Sequence, residues 1–223
     1  MTQANRLFVR LRDGAHELLG QFRSYFGLGG KVRPEPITDT DALRAFVSSR
    51  ASFIAQTSLY GYLRTRAGQR YPDLFESDPF LVSINLAKWH MFLACLSDLS
   101  VYAGGLIARR TALSPEQVRE LMLALLDRTL DETGHPTDAD AEFPEHARRV
   151  RTRIALTDWR RVADDEDCFQ ASPEALVRWA PVVKEFMQLD ESIVRNSVRF
   201  HWQEVRGDLR KHLDAHSIAA ALG

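Results

Sequence analysis

Apolar and polar residues follow helical spacing in the first part of the chain, from position 4 to position 27. Residues three or four positions apart share one face of a helix, and the apolar ones here fall together. One face carries Leu7, Phe8, Leu11, Ala15, Leu18, Leu19, Phe22, Tyr25 and Phe26, and the other carries Arg6, Arg10, Arg12, Asp13, Glu17 and Arg23. The glycines of "GLGGKVRPEP" then end the helix, and its prolines stiffen a connector. The pattern predicts an amphipathic helical arm over residues 1–33 and a single all-α domain over residues 34–223.

Helical patterns continue along the rest of the chain, and residues that favour helix starts introduce them. One helix is predicted from Thr38 or Thr40 to about Ala67. The next starts at Asp78, as its cap, with Pro79, and ends near Gly104 and Gly105 or at Arg109. Further helices are predicted from Ser114 and Pro115 to "DETGHP", from Pro144 through Arg161, from "ASPEAL" to a break at Pro181, and from there to about Leu213. No run alternates as a strand does, so we expect an irregular bundle of about seven helices.

The most apolar stretch, "INLAKWHMFLACLSDLSVYAGG" at positions 84–105, carries Lys88, His90 and Asp98. It is long enough to cross a bilayer, but each charge near the centre would cost roughly 3 kcal/mol or more. A helix in the core of a folded domain accommodates these groups at a lower cost, because they can be paired there. The stretch therefore predicts a core helix with polar side chains sealed inside.

The second and third helices are expected to pack as an antiparallel hairpin, since about ten residues join them. In that register Arg50 lies opposite Asp98, which predicts a charge-assisted contact between them. His90 faces Thr57 or Tyr60. Two interpretations stay open: Arg50 and Asp98 are a packed pair that fixes helix register, or Arg50, Thr57, Tyr60, His90 and Asp98 line a pocket between helices.

Composition adds bounds to this picture. The chain of 223 residues is 45% hydrophobic and 26% charged with a net charge of −1, which is typical of a globular protein. Its two cysteines form no disulfide framework, and Cys95 is expected to be a small core residue. The N-terminus lacks the pattern of a secretory signal, so we expect a cytoplasmic protein.

The stretch "HARRVRTRIALTDWRR" contains six arginines between Arg148 and Arg161. It has the charge of a nucleic-acid contact, but the acidic runs "DADAE" and "DDED" flank it and can neutralise it. We therefore favour a solvated, salt-bridged face over binding to nucleic acid.

Catalytic and cofactor patterns are absent from the sequence. Glu132 and His135 give one incomplete pair for a di-iron site, at a helix end. "DADAEF" lacks the glycine and glutamate of a calcium loop. No Gly-x-Ser-x-Gly elbow and no phosphate-binding glycine loop occurs. The sequence predicts no metal and no cofactor.

The arm is the strongest functional feature of the sequence. Up to Arg33 it contains six Arg and Lys residues and two acidic ones. A helix of this kind lies on an anionic membrane surface or fits a groove on a partner protein; alternatively, it covers the core of its own domain. The candidate contact residues are Leu7, Phe8, Leu11, Phe22 and Phe26 with Arg6, Arg10 and Arg23.

The phrase "TSLYGYLRTRAGQRYPDLFESDPFLVSINLAKWHMFLACLSDLSVYAGG" resembles a stretch of an uncharacterised family of helical proteins from alphaproteobacteria, some of which carry the label esterase. The likeness covers residues 55–105. It implies a bacterial cytoplasmic protein, and the esterase label is not transferred because this chain has no nucleophile elbow.

From the sequence we expect a non-catalytic accessory protein that docks, through its arm, onto a larger protein assembly or the inner face of the membrane. The alternative is a small-molecule-binding protein or a hydrolase-type enzyme with a pocket near Arg50, Tyr60, His90 and Asp98.

Overall fold

The structure is a computed structural model, and it describes residues 36–222. Its helices are α1 (Thr40–Ala67), α2 (Tyr71–Leu74), α3 (Asp78–Arg110), α4 (Pro115–Thr133), α5 (Phe143–Leu156), α6 (Ala171–Trp179), α7 (Lys184–His212) and α8 (Ala215–Ala220), with a 3-10 turn at Gly68–Arg70. Seven of these helices have six residues or more, and within residues 36–222 no strand is formed. The predicted all-α bundle is therefore confirmed. The predicted arm over residues 1–33 lies outside the described residues.

Local sequence chemistry explains where several helices begin and end. The Asp39 carboxylate accepts from the Ala42 amide at 2.7 Å, so Asp39 caps α1. The predicted caps Thr38 and Thr40 were wrong, because a carboxylate also gains from the positive end of the helix dipole. Ser77, and not Asp78, is the residue that precedes α3. Ser114 forms the capping box with Gln117 that starts α4, and that helix ends at Gly134, whose φ of 63° suits glycine.

One packing contact bears on the ends of both α3 and α5. α3 continues past Gly104 to Arg110, so the later of its two predicted ends, at Arg109, is confirmed and the earlier one was wrong, whereas α5 stops at Leu156 instead of Arg161. The chain leaves the helix after Leu156, and Trp159 becomes 1% exposed against α3. A Cβ at Gly104 would overlap the Trp159 ring, so Gly104 serves close approach rather than helix termination. The small residue on α3 therefore receives a side chain from the loop that follows α5.

α3 is the central helix of the bundle, and its most extensive neighbour is α1. By length and composition α3 could cross a membrane, because the most apolar window of 18 residues within it has a mean hydropathy of 1.6. However, 94% of its most apolar window is buried inside the fold, as expected for the predicted core helix.

α7 packs against α1, and three contacts set its direction. Arg50 pairs with Asp208 at 3.2 Å, Ser58 contacts His201 at 3.1 Å, and Arg66 pairs with Asp190 at 3.6 Å. Because the positions rise along α1 while they fall along α7, the two helices are antiparallel. Beside them, Ile37 and Leu213 form an isolated parallel bridge, which ties the start of the described chain to the end of α7.

Candidate functional site

A buried carboxylate, Asp98, organises the centre of the bundle. Asp98 is 0% exposed and accepts hydrogen bonds from Arg153 Nη1 at 2.6 Å, from Ser172 Oγ at 2.7 Å and from the Ser172 and Ala171 amides at 2.8 and 3.1 Å. Trp202 Nε1 donates to Ser172 Oγ at 2.9 Å. We call Asp98, Arg153, Ser172 and Trp202 the Asp98 network. It connects α3, α5, α6 and α7.

The Asp98 network also replaces a missing helix cap. Gln170, the residue before α6, provides no side-chain cap, and the first amides of α6 donate to Asp98 instead. A carboxylate at this position satisfies free amides and interacts favourably with the helix dipole. Burial raises the pKa of Asp98, and the Arg153 guanidinium and the Ser172 donors oppose that rise. The network thus holds the helices together through buried hydrogen bonds between their own side chains and amides.

The predicted Arg50–Asp98 contact was wrong. Arg50 lies at the edge of the face by which α1 buries Leu43, Val47 and Ile54, so its side chain reaches α7 and pairs with Asp208. Asp98 is instead paired with Arg153, which belongs to the basic stretch 55 positions later. The pattern of α1 and α3 alone could not identify a partner on α5.

A second polar cluster surrounds His90. His90 is 1% exposed, its Nδ1 lies 2.9 Å from His146 Nδ1, and its Nε2 lies 3.1 and 3.2 Å from the two oxygens of Asp140. The Trp179 ring stacks on His90 with centroids 3.7 Å apart and an interplanar angle of 7°. We call His90, Asp140, His146 and Trp179 the histidine cluster. Both ring nitrogens of His90 are engaged by His146 and Asp140, so neither Thr57 nor Tyr60 is its hydrogen-bond partner.

Hydrogen bonding orients the rings of the histidine cluster. A carboxylate only accepts, so His90 Nε2 donates to Asp140, and the two Nδ1 atoms of His90 and His146 share one hydrogen bond whose donor is set by the tautomer. Burial lowers the pKa of His146 to about 4, and the neighbouring His90, Arg149 and Arg178 lower it further, while Asp140 acts in the opposite direction. His146 is therefore neutral at pH 7.

Asp138 anchors the segment between α4 and α5. Its carboxylate accepts from Lys88 Nζ at 2.8 Å and from Trp89 Nε1 at 2.7 Å. Burial on its own would raise the pKa of Asp138, but these two donors lower it below its ordinary value. Lys88 thus pairs within the described fold, with part of its side chain exposed.

The five candidate pocket residues do not share one set of partners. Arg50 pairs on α7, Asp98 on α5 and α6, and His90 on α5 and the preceding segment. Tyr60 lies near Tyr71 and Asp138, and burial raises its pKa to about 12; Thr57 is half-buried.

Cavities occur elsewhere in the described part. One of about 390 Å³ lies between α1 and α4, and one of about 140 Å³ lies beside Trp159. Neither is lined by any of the five candidate pocket residues. Residues 36–222 also bring together no group of three or more His, Cys, Asp or Glu side chains suited to a metal ion.

The arginines of the basic stretch are largely engaged in ion pairs. Arg151 forms two hydrogen bonds with Asp127, at 2.9 and 3.1 Å, and Arg148 pairs with Glu145. These pairs agree with the expected salt-bridged face. The expected source of the neutralising acids was wrong, because Asp127 on α4 and Glu145 within α5 provide them in place of the flanking acidic runs.

The outer face of α7 presents apolar side chains to solvent. Phe186, Leu189, Ile193 and Phe200 are 45%, 76%, 69% and 67% exposed. Their spacing of three, four and seven positions places them on one narrow line along the helix. We call these four residues the α7 stripe. Sequence analysis missed it because the opposite face of α7, with Val194, Val198 and Trp202 among others, is also apolar and provides the core contact.

Comparison with protein-family models, curated proteins and solved structures finds no match for this chain. Membership of the family that residues 55–105 resemble therefore stays a prediction.

Proposed function

We propose that this protein is a non-catalytic interaction protein that docks onto a larger protein assembly. The observation that carries the interaction role is the α7 stripe, whose four large apolar side chains point out of the fold; the contact with the larger assembly itself is assigned to the amphipathic pattern of residues 4–27. Contiguous apolar surface of this kind is typical of protein interaction sites. The polar clusters are arranged differently: both the Asp98 network and the histidine cluster join helices to one another.

The amphipathic pattern of residues 4–27 supports a second docking element. Its apolar residues include Leu7, Leu11 and Phe22, and its basic face includes Arg6 and Arg10. Such a segment fits a groove on a partner with an acidic rim. We propose a cytoplasmic location for the complex. An anionic inner-membrane surface is the other place where a basic amphipathic segment could bind.

The proposal is tested by capture from the native host. Tagged full-length protein is compared with a version that lacks residues 1–33, and co-purifying proteins are identified and then reconstituted with the purified chain. We expect a stoichiometric partner with the full-length protein and its loss with the shortened one. Equal capture by both versions would refute docking through the arm. If the full-length protein is recovered only in the membrane fraction, the surface onto which it docks is the membrane and not a protein assembly.

A further inference from the structure

We propose that the α7 stripe is the interface between two copies of this chain, with the two α7 helices packed antiparallel. This inference rests on the proposed function only in taking the α7 stripe to be a docking face. It leaves the arm as the element that binds the larger assembly. Three features of α7 support it: the spacing of the stripe, the charges beside it and its place in the fold.

The spacing of the α7 stripe suits helix-on-helix packing. Steps of three and four residues repeat the seam by which two helices interlock their side chains. From Phe186 to Phe200 the stripe is about 21 Å long at 1.5 Å per residue. A twofold axis near Ile193 places Phe186 of each copy beside Phe200 of the other and brings the two Ile193 side chains together. This arrangement is closed, so it produces a dimer and not a filament.

The charges beside the stripe select the antiparallel orientation. Glu185 directly precedes Phe186, and Arg199 directly precedes Phe200. Two steps of seven residues separate Glu185 from Arg199, so both lie on the same flank of the stripe. When Phe186 lies beside Phe200 of the second copy, Glu185 comes near Arg199 of that copy, and symmetry repeats the pair. In a parallel arrangement the same flank of the two copies would lie on opposite sides of the seam, so this pair of opposite charges would not form. Residues that flank a helical seam set orientation in this way.

The position of α7 leaves the stripe accessible. Arg66 of α1 covers one edge of it, with its guanidinium 4.0 Å from the centre of the Phe186 ring. On the opposite side of α7, Arg195 pairs with Glu174 of α6 at 2.6 Å. α7 thus lies between α1 and α6, and the stripe faces outward between them.

Charges of both signs beside the stripe favour a protein surface over an anionic bilayer. Glu185 and Glu204 are exposed on α7, while Arg66 and Arg199 adjoin Phe186 and Phe200, and anionic lipid attracts surfaces with an excess of basic residues instead. A standard stable interface buries about 800 Å² per partner. The seam here is short, so we expect a dimer with a micromolar dissociation constant.

Sedimentation velocity of the full chain, from about 1 to about 200 µM, tests the dimer. We expect the sedimentation coefficient to rise from the monomer to the dimer value over this range. Ile193→Asp should weaken the dimer by at least about thirtyfold, because two apolar contacts at the axis are lost. Leu156→Asp is the matched control, because Leu156 is 78% exposed on α5 and lies outside the stripe. The dimer of this variant should have the same dissociation constant as the dimer of the unchanged protein. Circular dichroism verifies that each variant is folded.

A charge exchange tests the orientation. Glu185→Arg and Arg199→Glu should each weaken the dimer by roughly tenfold, and the double variant should recover the original affinity. A protein that stays monomeric at the highest concentration, or an Ile193→Asp variant that dimerises normally, overturns the inference. If the double variant does not recover the original dimer affinity, the antiparallel geometry is overturned. Binding to phosphatidylglycerol vesicles that Ile193→Asp abolishes would identify a membrane as the occupant and overturn it as well.

The two proposals fail in different ways. A monomeric protein that still captures a different protein through residues 1–33 refutes the dimer and keeps the proposed function. A dimer that captures no other protein keeps the interface and refutes docking onto an assembly.

Discussion

Acidification should destabilise this protein through His146, and the size of the effect follows from the histidine cluster. Burial beside His90, Arg149 and Arg178 lowers the pKa of His146 from 6.5 to about 4. The unfolded chain therefore binds a proton at higher pH than the folded chain does. The contribution of neutral His146 to the free energy of unfolding is therefore fully present above pH 6.5 and is lost as the pH falls towards 4. Linkage gives a loss of about 2 kcal/mol between pH 7.5 and pH 5, and about 3 kcal/mol by pH 4.

The assay is urea unfolding followed by circular dichroism at pH 7.5 and pH 5. The comparison variant is His146→Asn, whose amide can still donate to His90 but does not titrate. Other titrating groups, including His201, whose pKa burial lowers, are common to both proteins and cancel in the difference. We expect the wild type to lose about 2 kcal/mol more than the variant between the two pH values. Parallel losses in the two proteins would show that His146 does not carry the pH dependence.

Two further predictions concern packing and buried charge. Arg153→Met should destabilise the fold by about 3 kcal/mol or more in urea unfolding, because it leaves the Asp98 carboxylate buried without its charged partner. The double variant with Asp98→Leu should be more stable than Arg153→Met. An equal loss in the free energy of unfolding in the single and the double variant would contradict this. Gly104→Ala should lower the free energy of unfolding by about 1–3 kcal/mol, since its Cβ overlaps Trp159. Gly61→Ala is the control for helix propensity: its Cβ meets nothing within 4 Å, so it should stabilise α1 by up to about 1 kcal/mol. A Gly104→Ala variant as stable as the wild type would refute the packing argument.

The fold was predictable because helix signals are local. The helix start at Ser114 and Pro115, the break at Pro181 and the helix end at "DETGHP" depend on a few neighbouring residues, and each of these predicted features is confirmed. The end of α5 was not predictable in the same way, because it depends on the place where Trp159 inserts against Gly104. That contact joins positions far apart in the chain.

The partners of the polar core residues were largely beyond the sequence for the same reason. Asp98 and His90 were correctly expected inside the fold, since polar groups in an apolar helix must be paired to be buried. Which residues pair with them depends on how α5 and α6 pack on α3, and this packing leaves no periodic signal in α3 itself. Arg153 looked like one of six surface arginines, yet it reaches the Asp98 carboxylate.

The Asp98 network also constrains how the chain is made. The Ser172 donors lie 74 positions after Asp98, so at roughly 5–20 residues per second they are synthesised about 4 to 15 seconds after the carboxylate that they bind. Until then the most apolar helix of the described chain lacks these partners. Its own charges then oppose insertion into a bilayer. The carboxylate that joins four helices in the finished protein is thus also a charge that disfavours membrane insertion of the most apolar segment.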